Sequence, residues 1–326
     1  MASLSTLLPL ALLTTLASAT SYTISKTYDS TNFFTDFDFF STADPTHGFV
    51  TYQTQSAAES LGLAKVVNGN QVYIGVDNST TLGQNSTGMP SVRLQSQATY
   101  NKMLLVADVA HMPFACGAWP SLWTWADPWP TKGEIDIIEG VNSQTTNAMT
   151  LHTSATCQVT QGTQLSTSTF VTGTDCNAPG TGSTGCQQQG ASTASYGAGF
   201  NEAGGGVYVM EWTSSAISMW FLSRSSIPSS LGGDTLDVSV LGTPLVQFVS
   251  NADAGGCDFD QRFADHKITI DTTFCGDWAG SQDTWTADAT CSAKSSSCKS
   301  WVKEAGPEEW SEVYWLFNSI KVYTSG

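Results

Sequence analysis

The chain has 326 residues, of which 40% are hydrophobic and only 12% are charged, a composition that favours a large folded core over disorder. Acidic residues number 28 against 12 basic ones, which gives a formal net charge of −16. Because so acidic a protein binds nucleic acid and anionic membranes poorly, we expect neither as a partner.

The N-terminal region has the pattern of a secretory signal peptide. An apolar stretch at residues 4–16 precedes the small residues Ala-Ser-Ala at 17–19. We therefore expect residues 1–19 to be removed and the mature chain to be secreted to the extracellular space; the alternative is a buried N-terminal helix. No second apolar span of about 20 residues follows, so no transmembrane helix is expected, and neither is a lipid anchor.

The dominant pattern along the chain is alternation of apolar and polar residues, bounded by Gly, Asn, Ser and Pro, which predicts strands. The predicted strands are 72–76, 102–110, 207–212, 217–222, 267–274 and 320–323. Residues 102–110 are almost continuously apolar, as in a strand buried on both faces. One short helix is predicted, at 56–66. Many strands with few helices predict an all-β fold, a sandwich or jelly roll.

Two polar segments, 166–206 and 281–312, lack strand pattern, and each contains two cysteines. Such composition is typical of linkers, but the cysteines favour long loops that are stapled to the body of the protein. We therefore predict a single domain over residues 20–326, and we expect a monomer.

An even number of cysteines in an exported chain predicts disulfide bonds, although eight cysteines leave the pairing open. The eight are Cys116, Cys157, Cys176, Cys186, Cys257, Cys275, Cys291 and Cys298. None of them lies in a cluster with zinc-binding spacing. Two sequons, beginning at Asn78 and Asn85, predict glycosylation of a surface loop.

Three acidic residues lie in one short strand, Gly133-Glu134-Ile135-Asp136-Ile137-Ile138-Glu139-Gly140. Glu134 and Asp136 are two residues apart, so their side chains share a face. Glu139 has the opposite parity, and we predict a β-bulge around Ile137 and Ile138 that returns it to that face. The three carboxylates would then line one side of one strand.

Paired carboxylates on one face are the requirement for glycoside hydrolysis. A separation of about 5–5.5 Å suits a retaining enzyme and about 6.5–9.5 Å an inverting one, and the sequence does not fix this distance. Mutual repulsion raises at least one pKa, which lets one glutamate hold a proton while the other attacks. Asp136 could share a proton or orient the nucleophile. A calcium site or a solvated strand face are the alternatives.

A tryptophan-rich run lies just upstream of the acids. Trp119, Trp123 and Trp125 share parity, and Trp129 follows them. Indole rings stack on the flat faces of sugars, so the cluster predicts sugar-binding subsites; the alternative is that these rings fill the core. Trp278, in a turn-rich segment, is a further candidate. His152 has the parity to face the acids, where it would contact Asp136 or the sugar, or serve a structural role.

These residues closely resemble glycoside hydrolase family 16, specifically the fungal laminarinase-type endo-β-glucanases. The resemblance rests on the E-x-D-x-x-E pattern of Glu134, Asp136 and Glu139. It extends to His111-Met112-Pro113, Trp119-Pro120-Ser121-Leu122-Trp123, Gly140-Val141-Asn142, Leu151-His152-Thr153, Glu211-Trp212-Thr213 and Phe274-Cys275-Gly276-Asp277-Trp278.

The resemblance implies a β-jelly roll of two curved antiparallel sheets with substrate in a concave cleft. It implies Glu134 as nucleophile, Asp136 as its assistant and Glu139 as acid/base. It also implies that the sugar contacts include Arg93, Asn142, Trp123, Trp129 and Trp278. No cofactor is expected; some relatives carry a structural calcium, for which the sequence identifies no ligands.

The expected partner is a β-1,3-glucan or a mixed β-1,3-1,4-glucan, cut internally. Two alternatives use the same fold. A cell-wall transglycosylase would pass the sugar to another sugar, but relatives of that kind usually have a shorter acidic motif and a membrane anchor. A glucan-binding lectin would need neither glutamate, and both are present.

Overall fold

The computed structural model of the protein describes residues 21–154, 156–165, 167–178 and 184–325, so the predicted signal peptide lies outside the described residues. The strands are Ser21–Tyr28 (β1), Phe37–Phe39 (β2), Val50–Tyr52 (β3), Ala64–Val67 (β4), Gln71–Gly75 (β5), Met89–Ser91 (β6), Arg93–Ser96 (β7), Met103–His111 (β8), Ala118–Trp125 (β9), Glu134–Glu139 (β10), Ala148–His152 (β11), Thr160–Gln161 (β12), Thr169–Phe170 (β13), Cys186–Gln189 (β14), Gly206–Trp212 (β15), Ala216–Ser223 (β16), Thr235–Asp237 (β17), Val246–Val249 (β18), Lys267–Phe274 (β19) and Tyr314–Ser325 (β20).

The helices are all short. The α-helices are Phe33–Asp36 (α1), Gln55–Ser60 (α2), Gly197–Glu202 (α3), Phe259–Arg262 (α4), Gly276–Ala279 (α5), Gln282–Ala287 (α6), Ala289–Ser292 (α7) and Cys298–Glu304 (α8). Single 3-10 turns occur at Thr193–Ser195, Arg224–Ser226, Val238–Leu241, Ala252–Ala254 and Pro307–Trp310. In the part of the chain that is described, no helix has the length and apolar character needed to span a membrane.

Apart from β3 and β6, which pair with each other in parallel, the strands form two large antiparallel sheets, which confirms the predicted jelly-roll sandwich. One sheet has ten strands, in the order β12-β18-β16-β15-β8-β20-β1-β17, with β5 added beside β20 and β4 beside β5. The other has eight strands, in the order β13-β14-β11-β10-β9-β19-β7-β2. The acidic strand β10 is therefore central in the eight-stranded sheet, between β9 and β11.

The main core lies between the two sheets. Side chains of alternate parity point inward, so Leu105 and Ala107 of the ten-stranded sheet are fully buried, as are Leu122, Ile135 and Ile270 of the eight-stranded sheet. The opposite face of the eight-stranded sheet carries the polar and aromatic residues of β9 and β10. We call it the cleft face, after the cleft that the family resemblance implies.

The ten-stranded sheet is covered on its second face as well. Leu104, Val106 and Val209 point away from the main core and pack with Leu236 and Leu241 from the segment that crosses this face. Strand β8 is thus buried on both sides, as its unbroken apolar run predicted.

The helix predicted at 56–66 is only half correct. Helix α2 ends at Ser60, and the chain then enters strand β4. Gly62 has φ of +71°, and the amides of Gly62 and Leu63 donate to the carbonyls of Glu59 and Ala58. These two bonds form a Schellman motif, which ends a helix at a glycine that tolerates the left-handed conformation.

The prediction that 281–312 is a long loop is wrong, because α6, α7 and α8 occupy most of it. These helices span two turns or less, too few for a 3.6-residue pattern to stand out. Their caps are nonetheless visible: Ser281, Asp288 and Ser297 each accept a main-chain N–H in the first turn. The predicted stapling is confirmed, since Cys116–Cys291 and Cys275–Cys298 join this helical segment to the sheet.

The other polar segment is attached differently. In the segment 166–206, Cys176 and Cys186 bond to each other, so they do not staple the segment to the body of the protein. The fourth disulfide, Cys157–Cys257, lies outside this segment. The segment is held instead by antiparallel pairing of β14 with β11. All eight cysteines are paired, as predicted.

Candidate active site

Strand β10 contains the predicted bulge. Against β9, Asp136 pairs with Trp123 but Ile138 pairs with the next residue, Leu122, so Ile137 is the extra residue. Against β11, the same shift occurs between Asp136 and Glu139. An extra residue inverts the parity of everything after it, and Glu139 therefore joins Glu134 and Asp136 on the cleft face.

A buried asparagine satisfies the main chain at this bulge. The Asn147 side chain donates from Nδ2 to the carbonyl of Ile137 (2.7 Å) and accepts at Oδ1 from the N–H of Glu139 (2.9 Å). Asn147 is fully buried and directly precedes β11. Asn147 was not identified from the sequence, because an asparagine before a strand carries no distinguishing pattern.

Two donors from β9 hold the carboxylate of Glu139. The indole Nε1 of Trp119 donates to Oε1 at 2.9 Å, and the Ser121 hydroxyl donates to the same oxygen at 3.3 Å. Trp119 and Ser121 have the parity of the cleft face, so these bonds fix Glu139 in the cleft rather than in the core.

The remaining two acids lie beside the predicted histidine. Glu134 Oε2 accepts from the indole of Trp129 at 2.5 Å. The Nε2 atom of His152 lies 3.4 Å from Asp136 Oδ2, and His152 is the cross-strand neighbour of Glu134. Asp136 is 1% exposed, which makes it the most buried of the three acids.

A glycine lets the chain pass close to His152. A Cβ atom on Gly185 would lie 2.4 Å from the Leu151 carbonyl oxygen and 2.7 Å from His152 Nδ1. Gly185 also has φ of +58°, which other residues adopt only with strain. The close approach packs the chain against the imidazole ring.

The three acids perturb one another electrostatically. Burial, followed by repulsion from Asp136, raises the pKa of Glu134 well above its usual value. Burial, followed by repulsion from Glu139, does the same to the pKa of Asp136, although the neighbouring Glu134 carboxyl opposes the rise. Burial raises the pKa of Glu139, while the bonds from Trp119 and Ser121 oppose the rise. The cluster therefore retains protons at a pH where isolated carboxyls are fully ionised.

Glu134, Asp136 and His152 are also close enough to hold a metal ion. Their ligand atoms lie within 4.8 Å of one another, and no other group of three Asp, Glu, His or Cys side chains in the described residues meets this criterion. Two of these side chains, Glu134 and Asp136, are predicted catalytic residues. The predicted absence of a cofactor stays a prediction.

The tryptophans form the floor beside the acids. Trp123 and Trp125 stack with centroids 5.7 Å apart and planes 20° apart, and Trp125 donates to the Thr269 hydroxyl. Trp129 is 41% exposed at the rim. Trp119 meets the Trp278 ring edge-on at 5.5 Å, and Trp278 stands on α5 at the end of the cleft near Glu139.

Arg93 packs beside this floor and is almost excluded from solvent. It is 3% exposed, its guanidinium lies 4.9 Å from the Trp123 ring centroid and 4.7 Å from that of Phe40, and it pairs with Asp271 at 3.6 Å. The structure thus shows a buried cation between two rings, on the same face of the sheet as the acids. The predicted sugar contact of Arg93 stays a prediction.

Asp271 was not identified from the sequence, although it is the only acid in the strand Lys267–Phe274. Burial raises the pKa of Asp271 to about 7, despite the opposing effect of Arg93. Through register, Asp271 is the β19 neighbour of Ser121, which contacts Glu139.

Asn142 is buried and bonded to main-chain groups, and its predicted sugar contact stays a prediction. It is 3% exposed, accepts from the Gly117 N–H at 2.9 Å and donates to the Ala279 carbonyl at 3.0 Å. Its amide thus ties the loop after β10 to the residue before β9 at one end, and to α5, the helix that carries Trp278, at the other.

Comparison with known proteins gives a family-level match. Residues 37–323 match the family model described as an XgeA-like, catalytic GH16 domain. The chain is 44% identical over 311 residues to a probable endo-1,3(4)-β-glucanase of Neosartorya fischeri, covering 94% of this chain. It spans about half the length of that curated relative, 46%.

Two solved structures are similar over their entire chains and 93% of this one. The first is Laminarinase 16A from Phanerochaete chrysosporium with two β-glucans in donor and acceptor sites (36% identity, TM-score 0.86). The second is an elongating family 16 β-1,3-glucosyltransferase (42% identity, TM-score 0.84).

Proposed function

This chain belongs to family 16 of the glycoside hydrolases, and from that membership we propose that it is an endo-β-glucanase that hydrolyses internal β-1,3 linkages, in β-1,3-glucan and in mixed β-1,3-1,4-glucan, with retention of configuration. The observation that carries the proposal is the bulge at Ile137, which gives Glu134 and Glu139 a common face beside a tryptophan floor.

In the first step, the Glu134 carboxylate attacks the anomeric carbon. The bond from that carbon to the bridging oxygen breaks, and protonated Glu139 gives its proton to the departing oxygen. A covalent glycosyl-enzyme results. The raised pKa of Glu139 supports the acid role, because the proton must be present at the working pH.

In the second step, Glu139 acts as a base. Once Glu134 is esterified its charge is gone, so the pKa of Glu139 falls and the residue is left as a carboxylate. It takes a proton from water while the resulting hydroxide adds to the anomeric carbon and releases Glu134. Two inversions at one carbon give net retention.

Asp136 lets Glu134 act as a nucleophile, although Glu134 lies among other acids that raise its pKa. Asp136 is the more deeply buried of the two, and burial is the main cause of its raised pKa. When the proton rests on Asp136, Glu134 is ionised, and the Trp129 N–H stabilises that charge. His152 beside Asp136 favours the anionic forms of the cluster.

Substitution of either glutamate tests the proposal. Glu134→Gln and Glu139→Gln should each lower kcat on laminarin by at least about 10³-fold with unchanged circular dichroism. Glu211→Gln is the matched control, because Glu211 is a partly buried glutamate bonded to Tyr22 on the other sheet. Full activity in either active-site variant would remove the assignment. For Glu134→Gly with azide, an inverted glycosyl azide would identify Glu134 as the nucleophile.

Transglycosylation is the second candidate, favoured by the 42% identity to an elongating β-1,3-glucosyltransferase. It uses the same covalent intermediate, with a sugar hydroxyl in place of water. The products distinguish the two: laminari-oligosaccharides longer than the substrate indicate transfer, and shorter ones indicate hydrolysis. Comparison of laminarin, lichenan and carboxymethylcellulose tests linkage preference. Release of reducing ends would exclude a non-catalytic lectin.

We also propose that the protein is secreted and acts as a monomer. The signal-peptide pattern at residues 1–19 and the four disulfide bonds support export, since disulfides persist in oxidising compartments. Expression in a secreting host, with N-terminal sequencing of the product, tests cleavage before Thr20. Light scattering of the purified protein tests the oligomeric state.

A further inference from the structure

The bulge in β10 leaves main-chain groups that the sheet ladder does not pair. Ile137 and Ile138 together oppose a single position of β11, between Thr150 and Ala148. The Ile137 carbonyl and the Glu139 N–H instead meet the two ends of the Asn147 amide, at 2.7 Å and 2.9 Å. One buried side chain thus takes the place of a backbone partner.

An asparagine is well suited to this position. Its amide presents one acceptor and one donor group, as a peptide unit does, and the bulge exposes one N–H and one C=O. Asn147 is 0% exposed, so water cannot replace it. A leucine would satisfy neither group, and an ionised aspartate would satisfy only the N–H while facing the Ile137 carbonyl with a second acceptor.

The alternative to the bulge is a regular strand. Side chains alternate strictly in a regular strand, so pairing without the extra residue would turn Glu139 to the core face. Trp119 and Ser121 hold the carboxylate end of Glu139, whereas Asn147 holds its backbone end. Both ends of the residue are therefore fixed.

We propose that Asn147 is a positioning residue for proton transfer: its two bonds to the bulge aim the Glu139 carboxyl at the glycosidic oxygen. The inference rests on the proposed function, because it takes Glu139 as the acid and base. Asn147 touches neither substrate nor reacting atoms, so its loss should damage protonation of the leaving group and leave nucleophilic attack intact.

The test compares leaving groups that do and do not need a proton. Laminarin releases an alcohol, which departs only when protonated, whereas 2,4-dinitrophenyl β-laminaribioside releases a stable phenolate. For Asn147→Ala we expect kcat/KM on laminarin to fall by about 10²-fold or more, and kcat/KM on the dinitrophenyl substrate to stay within about fivefold. Azide should raise kcat of the variant on the second substrate, because azide attacks without a base.

Two control variants make the result interpretable. Asn201→Ala removes an equivalent pair of side-chain bonds away from the bulge, to the N–H and the carbonyl of Met112. This variant should leave kcat/KM unchanged on both laminarin and the dinitrophenyl substrate. Glu139→Ala should reproduce the leaving-group pattern. If Glu139→Ala lacks this pattern, the proposed function fails. If Glu139→Ala shows the pattern and Asn147→Ala does not, only the role of Asn147 fails. Equal losses on both substrates with Asn147→Ala would likewise overturn that role.

A second variant covers the case in which Asn147→Ala does not fold. In Asn147→Asp the introduced carboxyl can donate to the Ile137 carbonyl only when protonated. Activity on laminarin should therefore fall more steeply with rising pH than in the wild type, while activity on the dinitrophenyl substrate should not. Parallel pH profiles of variant and wild type on both substrates would overturn the proposal.

Discussion

Trp119 donates one of the two hydrogen bonds that oppose the raised pKa of Glu139, and Trp119→Phe removes that bond while keeping an aromatic ring against Trp278. The bond, 2.9 Å from the indole nitrogen to Oε1, stabilises the charged form of the carboxyl. Its loss favours the protonated form, so the pKa of Glu139 should rise. The acid then stays protonated to higher pH.

The magnitude follows from the strength of the bond. A hydrogen bond to a charged group contributes about 1.5–3 kcal/mol, and about 1.4 kcal/mol corresponds to one pKa unit. The Ser121 hydroxyl, 3.3 Å from the same oxygen, can move closer and recover part of the loss. We therefore expect the lower end of the range, an upward shift of about one unit.

The assay is the pH profile of kcat/KM on a laminari-oligosaccharide. Its alkaline limb reports loss of the proton from the acid in the free enzyme, and it should move upward by about one pH unit in Trp119→Phe. Trp125→Phe is the matched control, because the Trp125 indole donates to Thr269 and not to an acid. An alkaline limb that stays in place, or moves downward, would refute the reasoning.

Two further predictions concern residues outside the reacting groups. His266 is fully buried, and burial lowers its pKa from 6.5 to about 4, so the native state should lose about 3 kcal/mol of stability as pH falls from 7 to 4. Urea unfolding should therefore show a difference in the free energy of unfolding between wild type and His266→Gln at pH 7 that shrinks by about that amount at pH 4. An equal difference at both pH values would contradict the prediction. Gly185→Ala should lower both the unfolding temperature and kcat, because the added Cβ pushes the His152 ring aside. Gly204→Ala is the control and should lower only the unfolding temperature, since Gly204 has φ of +77° but no atom within 4 Å of the added Cβ. Equal losses of kcat in the two variants would show that backbone strain alone is responsible.

The sequence was most informative where the geometry is local. Strict alternation of side chains along a strand placed Glu134 and Asp136 on one face, and the odd spacing of Glu139 required a bulge, which the structure contains. The same parity placed Trp123 and Trp125 together. Each of these conclusions depends only on neighbours within one strand.

Short helices were less accessible to this reasoning. The helical segment around α6, α7 and α8 is stabilised by capping and by a small core that two disulfides enclose, rather than by a long amphipathic pattern. Polar composition therefore suggested a loop where tertiary packing produces helices.

The sequence by itself determined the class of fold, the acidic face of β10 and the position of its bulge, because backbone geometry fixes how residues a few positions apart are oriented. Only the tertiary structure decided which distant residues meet that strand: Asn147 at the bulge, and Asp271 paired with Arg93 on the same face of the sheet as Ser121. It also decided that Cys116 pairs with Cys291, 175 residues away. Such contacts depend on how strands order themselves across a sheet and how sheets stack, and the packing of the whole core sets that order.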